Sequence, residues 1–302
     1  MNILVLLKKL NYYLGIKIFK TDNLFTYCLY TFLLNFFLKK KIIDPDIQKL
    51  FHDGFIQLKK IDQDFVNIIN NELSKQITAQ INTPLIKYEF TENLKNYLSN
   101  FLDNNTNYAL NILKKLFKSN VYVTTIQIRR TYYFDKTKFE NKSVYSENFH
   151  CDKYVGTHYK QFIYLNNVNE SNGPFTYLSK RVTKKFISKF KFKNRFSNDI
   201  VKSDFKDDEN YFMGDAGNSI LVNTTQCLHR AGIPHKGKFR DVIVITYVAS
   251  PVITDPDSMY FAKNFSESFW NSVHDGVFSK KLAKFKSNKQ AIKTLFKHIN
   301  QI

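Results

Sequence analysis

The chain is poor in cysteine and arginine, and its C-terminal stretch has no acidic residue. Its three cysteines, Cys28, Cys151 and Cys227, are too few and too scattered for a disulfide framework. They form no C-x-x-C pair, so they do not suggest a zinc site, and a reducing, cytoplasmic setting is the default expectation. Only six of the 45 basic residues are arginine, so an Arg at a geometrically demanding position stands out. Beyond Asp275 there is no Asp or Glu, and the chain has no internal repeat. The apolar run "LFTYCLYTFLLNFFL" (Leu24 to Leu38) is interrupted by Asn35. As a helix it would span about 22 Å, short of the roughly 30 Å hydrocarbon core of a bilayer. No small-residue cleavage site follows it, which argues against a secretory signal.

What the chain does contain is enough to fold. Of its 302 residues 43% are apolar and 16% aromatic, sufficient for one large core with appended elements. The formal net charge is +19. Such a balance raises nucleic acid, anionic lipid or an anionic substrate as partners. However, Lys, Asn, Ile, Phe and Tyr are abundant together, as AT-rich codon usage would produce, so the excess charge by itself names no partner.

Three regions are expected. Residues 1–44 form an apolar and basic helical extension. Its stretch 24–41, ending in three lysines, either packs on the main domain or makes peripheral contact with a membrane surface. Residues 45–265 form the main domain. It opens with a helix that has Pro45 in its first turn and Gly54 at its end, followed by a strand at "FIQLKKI". Residues 62–118 read as a helical insert, with periodic stretches at 62–80 and 91–118. After Asn120 the texture turns to β, with strands at 121–134, 159–168, 218–224 and 240–250, which together suggest a sandwich or small barrel. Residues 266–302 read as a basic, amphipathic helical tail. The segment "SKRVTKKFISKFKFKNRF" (179–196) carries eight Lys and Arg and no acid. It reads as a solvated basic loop or as a cradle for an anionic substrate. Its Phe186, Phe190, Phe192 and Phe196 would suit base stacking, but nothing else specifies nucleic acid.

The chemistry gathers around "ENFHCDKYVG". In extended chain, His150 and Asp152 fall on one face, roughly 6–7 Å apart. A third ligand is available in "TQCLHRAGIPHKGKFRDVIVITY", where His229 precedes a turn that leads into an apolar strand opened by Arg240. Two histidines and a carboxylate make the facial set of non-haem Fe(II) sites, with open metal positions. Arg240 lies 11 residues after His229. In a sandwich that spacing returns the chain along a neighbouring strand and brings a planar guanidinium to the same cavity, where it suits a carboxylate in two-point contact.

These motifs, with "IYLNNVNESNGPF" (163–175), "GNSILVNTTQCLHRAG" (217–232) and "FHDGFIQLKKI" (51–61), resemble the phytanoyl-CoA dioxygenase (PhyH-like) family of Fe(II)/2-oxoglutarate-dependent oxygenases. The resemblance covers roughly residues 50–250. It implies a mainly β fold, a double-stranded β-helix (jelly roll, cupin-like) with flanking helices. His150, Asp152 and His229 would bind Fe(II), and Arg240 would pair with the distal carboxylate of 2-oxoglutarate. Tyr164 would line the cosubstrate pocket, with Gln127 and Thr246 beside it. With O2 as the second cosubstrate, the implied reaction hydroxylates an unactivated C–H of a small molecule and releases succinate and CO2. The alternatives are a catalytically silent jelly-roll binding or scaffold protein and a nucleic-acid-modifying oxygenase. Asp152 favours hydroxylation over halogenation, since related halogenases carry a small residue there. Asn172, Gly173 and Pro174 match a structural turn. The chain departs from the family after that turn, where "FTYLSKRV" replaces the usual Gly-Ser-His segment. Arg129 and Arg130 are the fallback candidates for the carboxylate anchor. His158 and His235 are expected in loops or at the surface, and Cys151 and Cys227 in packing roles.

Overall fold

The computed structural model describes residues 44–250, apart from 78–82, 103–106, 118–119, 136, 138–143, 153–157 and 191–194. The N-terminal extension and the basic tail read from the sequence lie outside the described residues.

Helix α1 (Pro45–Asp53) starts where Asp44 accepts hydrogen bonds from the Asp46 and Ile47 amides, and has Pro45 in its first turn. It ends at Gly54, whose φ of 81° few other residues adopt and whose Cα packs against Cys227 Sγ too closely for a side chain. Strand β1 (Phe55–Leu58) follows, then α2 (Gln63–Ser74), β2 (Leu85–Lys87), α3 (Glu92–Phe101) and α4 (Tyr108–Phe117). The stretch read as a helical insert therefore also contains a strand. The β region comprises β3 (Asn120–Tyr132), β4 (His158–Tyr164), β5 (Phe175–Tyr177), β6 (Asn210–Phe212), β7 (Ser219–Val222), β8 (His229–Ala231) and β9 (Phe239–Ser250). Helices α5 (Lys180–Lys189) and α6 (Asn198–Phe205) lie between β5 and β6 in the chain.

Two antiparallel sheets result, with strand orders β1-β7-β4-β9-β3-β2 and β6-β5-β8. His150 adds to the free edge of β8 through a reciprocal backbone pair with His229, 3.0 Å each way. The chain passes from sheet to sheet as a jelly roll. Alternation along β9 assigns its two faces. Ile243, Ile245 and Tyr247 pack under α1, α2, α3 and α4, while Val242 and Val244 meet Phe162, Tyr164, Phe175 and Phe212 between the sheets. In β3 the register against β9 shifts between Val123 and Thr125.

One expectation is corrected. The basic segment begins as helix α5, not as a solvated loop. Ser179 caps it, accepting from the Val182 amide at 3.2 Å. Its buried face, Thr183, Phe186 and Ile187, joins Phe149, Phe196 and Leu228 in a small core. Phe186 and Phe196 are thus packing residues and present no ring for base stacking. The lysines obscured a helical spacing that was present in the apolar positions.

The N-G-P turn is structural, as the resemblance implied. A short 3-10 turn (Glu170–Asn172) is closed by a reciprocal cap between Asn169 and Asn172 and ends at Gly173, φ 66°. A Cβ there would lie 2.5 Å from Ile233 C and Pro234 N. Gly173→Ala should therefore cost about 2 kcal/mol or more, combining left-handed strain with overpacking. Chemical denaturation would measure it, and a loss below 0.5 kcal/mol, roughly the neutral range, would show that the turn can relax.

Candidate metal centre

The structure brings His150, Asp152 and His229 together from three places. His150 stands on the edge row paired to β8, and His229 opens β8 itself. Asp152 follows His150 beyond the strand, its amide donating to Thr224 O at 2.9 Å. One ligand atom from each lies within 4.8 Å of the others, and this is the one such cluster among the described residues. Asp152 Oδ1 is 3.6 Å from His150 Nε2 and 3.9 Å from His229 Nε2. Each Nδ1 is held by a backbone carbonyl two residues back, Asn148 O at 3.0 Å and Cys227 O at 2.9 Å. Those bonds assign the proton to Nδ1 and leave both Nε2 lone pairs facing the carboxylate.

Helix α5 supports this arrangement from behind. Thr183 Oγ1 accepts from the Leu228 amide at 2.9 Å, and the Leu178 amide donates to Leu228 O at 2.8 Å, fixing the residue before His229. Phe149, the residue before His150, sits in the same small core.

The electrostatics keep the imidazoles neutral and the carboxylate charged. Burial lowers all three nearby histidines, His229 and His158 to about 3. Burial acts to raise Asp152, but Lys160 and the surrounding imidazoles outweigh it and hold the carboxyl well below the usual range. Lys160 Nζ stands 2.7 Å from Asp152 Oδ2, an ion pair without hydrogen-bond geometry. It leaves Oδ1 to the imidazoles, as a monodentate ligand requires.

A pH dependence follows. Below pH 6.5 the unfolded chain protonates these histidines more readily than the folded chain does, so stability falls as the pH drops. The slope is about 1.4 kcal/mol per pH unit for each of His158 and His229 once the pH is well below 6.5, and His150 adds in the same direction. Asp152, with its depressed value, adds to the loss only below about pH 4. Denaturant midpoints of the metal-free protein should drop steeply between pH 6.5 and 4.5. A flat profile there would mean that the imidazoles are not held neutral.

Arg240, at the start of β9, is 3% exposed. Nη1 makes one long bond, 3.4 Å to Gly232 O, and no carboxylate lies within ion-pair distance among the described residues. A buried guanidinium without an anion is costly, and this one faces the same interior as the metal cluster. Tyr164, on β4, is fully buried beside it. Its hydroxyl donates to Phe212 O at 2.7 Å and accepts from the Phe175 amide at 3.1 Å, tying β4 to both β5 and β6. Gln127 pairs opposite Val244, and Thr246 opposite Thr125, to whose hydroxyl it is bonded at 2.6 Å. Both positions belong to the interior face, away from the helices.

Arg130 does not share that face. It makes a two-point ion pair with Asp241, 2.7 and 2.5 Å, and stacks over Phe239. Arg129 does share it. His158 corrects a second expectation, for it is 1% exposed, opens β4 and stands 3.5 Å from Thr224 Oγ1. His235 is exposed, and Cys151 and Cys227 pack in cores, as expected. Lys160 was missed by sequence reasoning. Its signal was position: it is the one lysine among His158, Phe162 and Tyr164 on the inward face of β4.

No family model matches the chain, and no curated protein matches it. Solved structures do. The non-heme alpha ketoglutarate dependent epimerase SnoN from nogalamycin biosynthesis aligns at 10% identity over 70% of this chain and 83% of its own, with a TM-score of 0.45. HygX from Streptomyces hygroscopicus, solved with nickel and 2-oxoglutarate, aligns at 12% identity over 69% and 88%, TM-score 0.48. EctD from S. alaskensis, with 2-oxoglutarate and 5-hydroxyectoine, aligns at 14% identity over 69% and 76%, TM-score 0.46. Chemistry must therefore be argued from this chain's own residues.

Proposed function

We propose that the chain is an Fe(II)- and 2-oxoglutarate-dependent dioxygenase of the phytanoyl-CoA dioxygenase type, hydroxylating an unactivated C–H of a small molecule with release of succinate and CO2. One observation carries the reading. Two Nε2 atoms and a carboxylate oxygen converge in a buried interior that also holds the Arg240 guanidinium, with no carboxylate at ion-pair distance among the described residues. The donor set fits a divalent metal with open positions, held by His150, Asp152 and His229. Arg240 fits the distal carboxylate of the cosubstrate, which would end its isolation. When bound, metal, 2-oxoglutarate and O2 supply the oxidising power that no side chain here possesses.

The chain's own contribution is positional. The Nδ1–H bonds to Asn148 O and Cys227 O fix the imidazole planes. Lys160 keeps Asp152 ionised. Val242, Val244, Phe162 and Phe175 form an apolar wall that excludes water from the carboxylate of a bound cosubstrate. A binding protein of the same shape that takes no anion would gain nothing from burying Arg240 with no carboxylate at ion-pair distance among the described residues. Among the described residues no helix is long and apolar enough to cross a membrane.

The test is anaerobic titration of the purified protein with Fe(II) and then 2-oxoglutarate. One metal per chain and a weak visible charge-transfer band are expected, with succinate formed on admitting O2. Stoichiometric metal binding without any response to 2-oxoglutarate would sink the reading.

A further inference from the structure

Resting on that reading, we infer that Arg129 is the anchor for an anionic group on the primary substrate, which makes the substrate a small organic acid or phosphate ester. Arg129 lies on β3 opposite Val242, while Arg240 lies opposite Thr131 two residues along. The two guanidinium-bearing residues are thus diagonal neighbours, roughly 7–8 Å apart at the backbone, on the face that looks into the sandwich. The Arg129 Nε is buried and has no hydrogen-bond partner. No carboxylate lies within ion-pair distance of it among the described residues, although its charge interacts with Asp152 and opposes Arg240. Burial and that opposing charge lower its guanidinium to about 10, so it stays cationic at neutral pH.

The inward face carries Arg129, Arg240 and Lys160 against Asp152. Lys160 is matched by Asp152. In the proposed complex the distal carboxylate of 2-oxoglutarate would match Arg240. Arg129 is left with no carboxylate at ion-pair distance among the described residues, and a planar fork of donors suits a carboxylate or a phosphate. On α5, Lys189 already pairs with Asp204 at 3.0 Å.

The experiment loads the full chain with Mn(II) and saturating 2-oxoglutarate without O2. It then measures binding of hexanoate, hexyl phosphate and hexan-1-ol by calorimetry. One or both anions should bind at least tenfold more tightly than the alcohol, and whichever binds better identifies the oxyanion. Arg129→Gln should remove that preference, Arg129→Lys should keep part of it, and 2-oxoglutarate affinity should change less than twofold in both. Equal binding of the anions and the alcohol to the parent protein would overturn the inference. A tenfold or greater loss of 2-oxoglutarate affinity in both variants would also overturn it, by assigning Arg129 to the cosubstrate. Should Arg129→Gln fail to fold, the parent's anion preference and the lysine variant still decide. If the parent binds no 2-oxoglutarate, the functional reading fails. The same probes on metal-free protein then test Arg129 separately.

Discussion

Asp152→Ala is expected to reduce turnover to background and to weaken divalent metal binding by more than about a hundredfold, since losing even an outer partner of a ligand costs 10–100-fold. The substitution removes the only anion among three imidazoles and an ammonium. Lys160, 2.7 Å from Oδ2 and largely buried, would be left with no counter-charge. Orphaning one member of a buried pair costs roughly 3–5 kcal/mol, and the partial exposure of Lys160 puts this case near the lower end. The metal-free variant should therefore unfold at distinctly lower denaturant. Adding Lys160→Met should restore much of that stability without restoring the metal. Calorimetry with Mn(II) and denaturation of both variants separate the two effects. Metal affinity in Asp152→Ala equal to the parent's would remove Asp152 from the ligand set.

Arg240→Lys is expected to keep fold and metal while raising the 2-oxoglutarate KM ten- to a hundredfold, equivalent to roughly 1.4–2.8 kcal/mol. Lysine carries the charge on a flexible stem but cannot offer two parallel donors in one plane. Arg240→Ala should be worse, because it leaves the distal carboxylate buried and unpaired. A 2-oxo acid lacking that carboxylate, such as 2-oxobutyrate, should partly rescue the alanine variant, since it brings no charge needing a partner. Succinate formation in Arg240→Ala with unaltered dependence on 2-oxoglutarate would move the anchor elsewhere. Arg130 is already committed to Asp241, so Arg129 would be next.

How much of this was legible in the sequence varied with the length of the element. The run at 240–250 has enough β-branched residues to declare β9, and helix α1 declares itself through Asp44, Pro45 and Gly54. Strands β5, β6 and β8 are three residues each and carry no period to detect. Of the site, His150, Asp152, His229 and Arg240 were legible because their spacing is distinctive and arginine is scarce. Lys160 was not, because one lysine among so many carries no weight until the register of β4 turns it inward. His158 looked peripheral for the converse reason: its burial depends on the segment around Thr224, which is remote in sequence.

The register shift at Thr124 puts the two halves of β3 out of phase. Val121 and Val123 pack beneath the leucines of α4, yet Thr125 and Arg129, also odd-numbered, belong to the opposite surface. A uniform count along this strand would place either the valines in the pocket or a guanidinium among leucines. Loss of the codon at position 124 would therefore remove the extra residue and leave each remaining side chain of β3 on its present surface, now in regular alternation. At this point a change of chain length spares the pocket, and a related sequence carrying a one-residue gap here would build its pocket from the same set of residues.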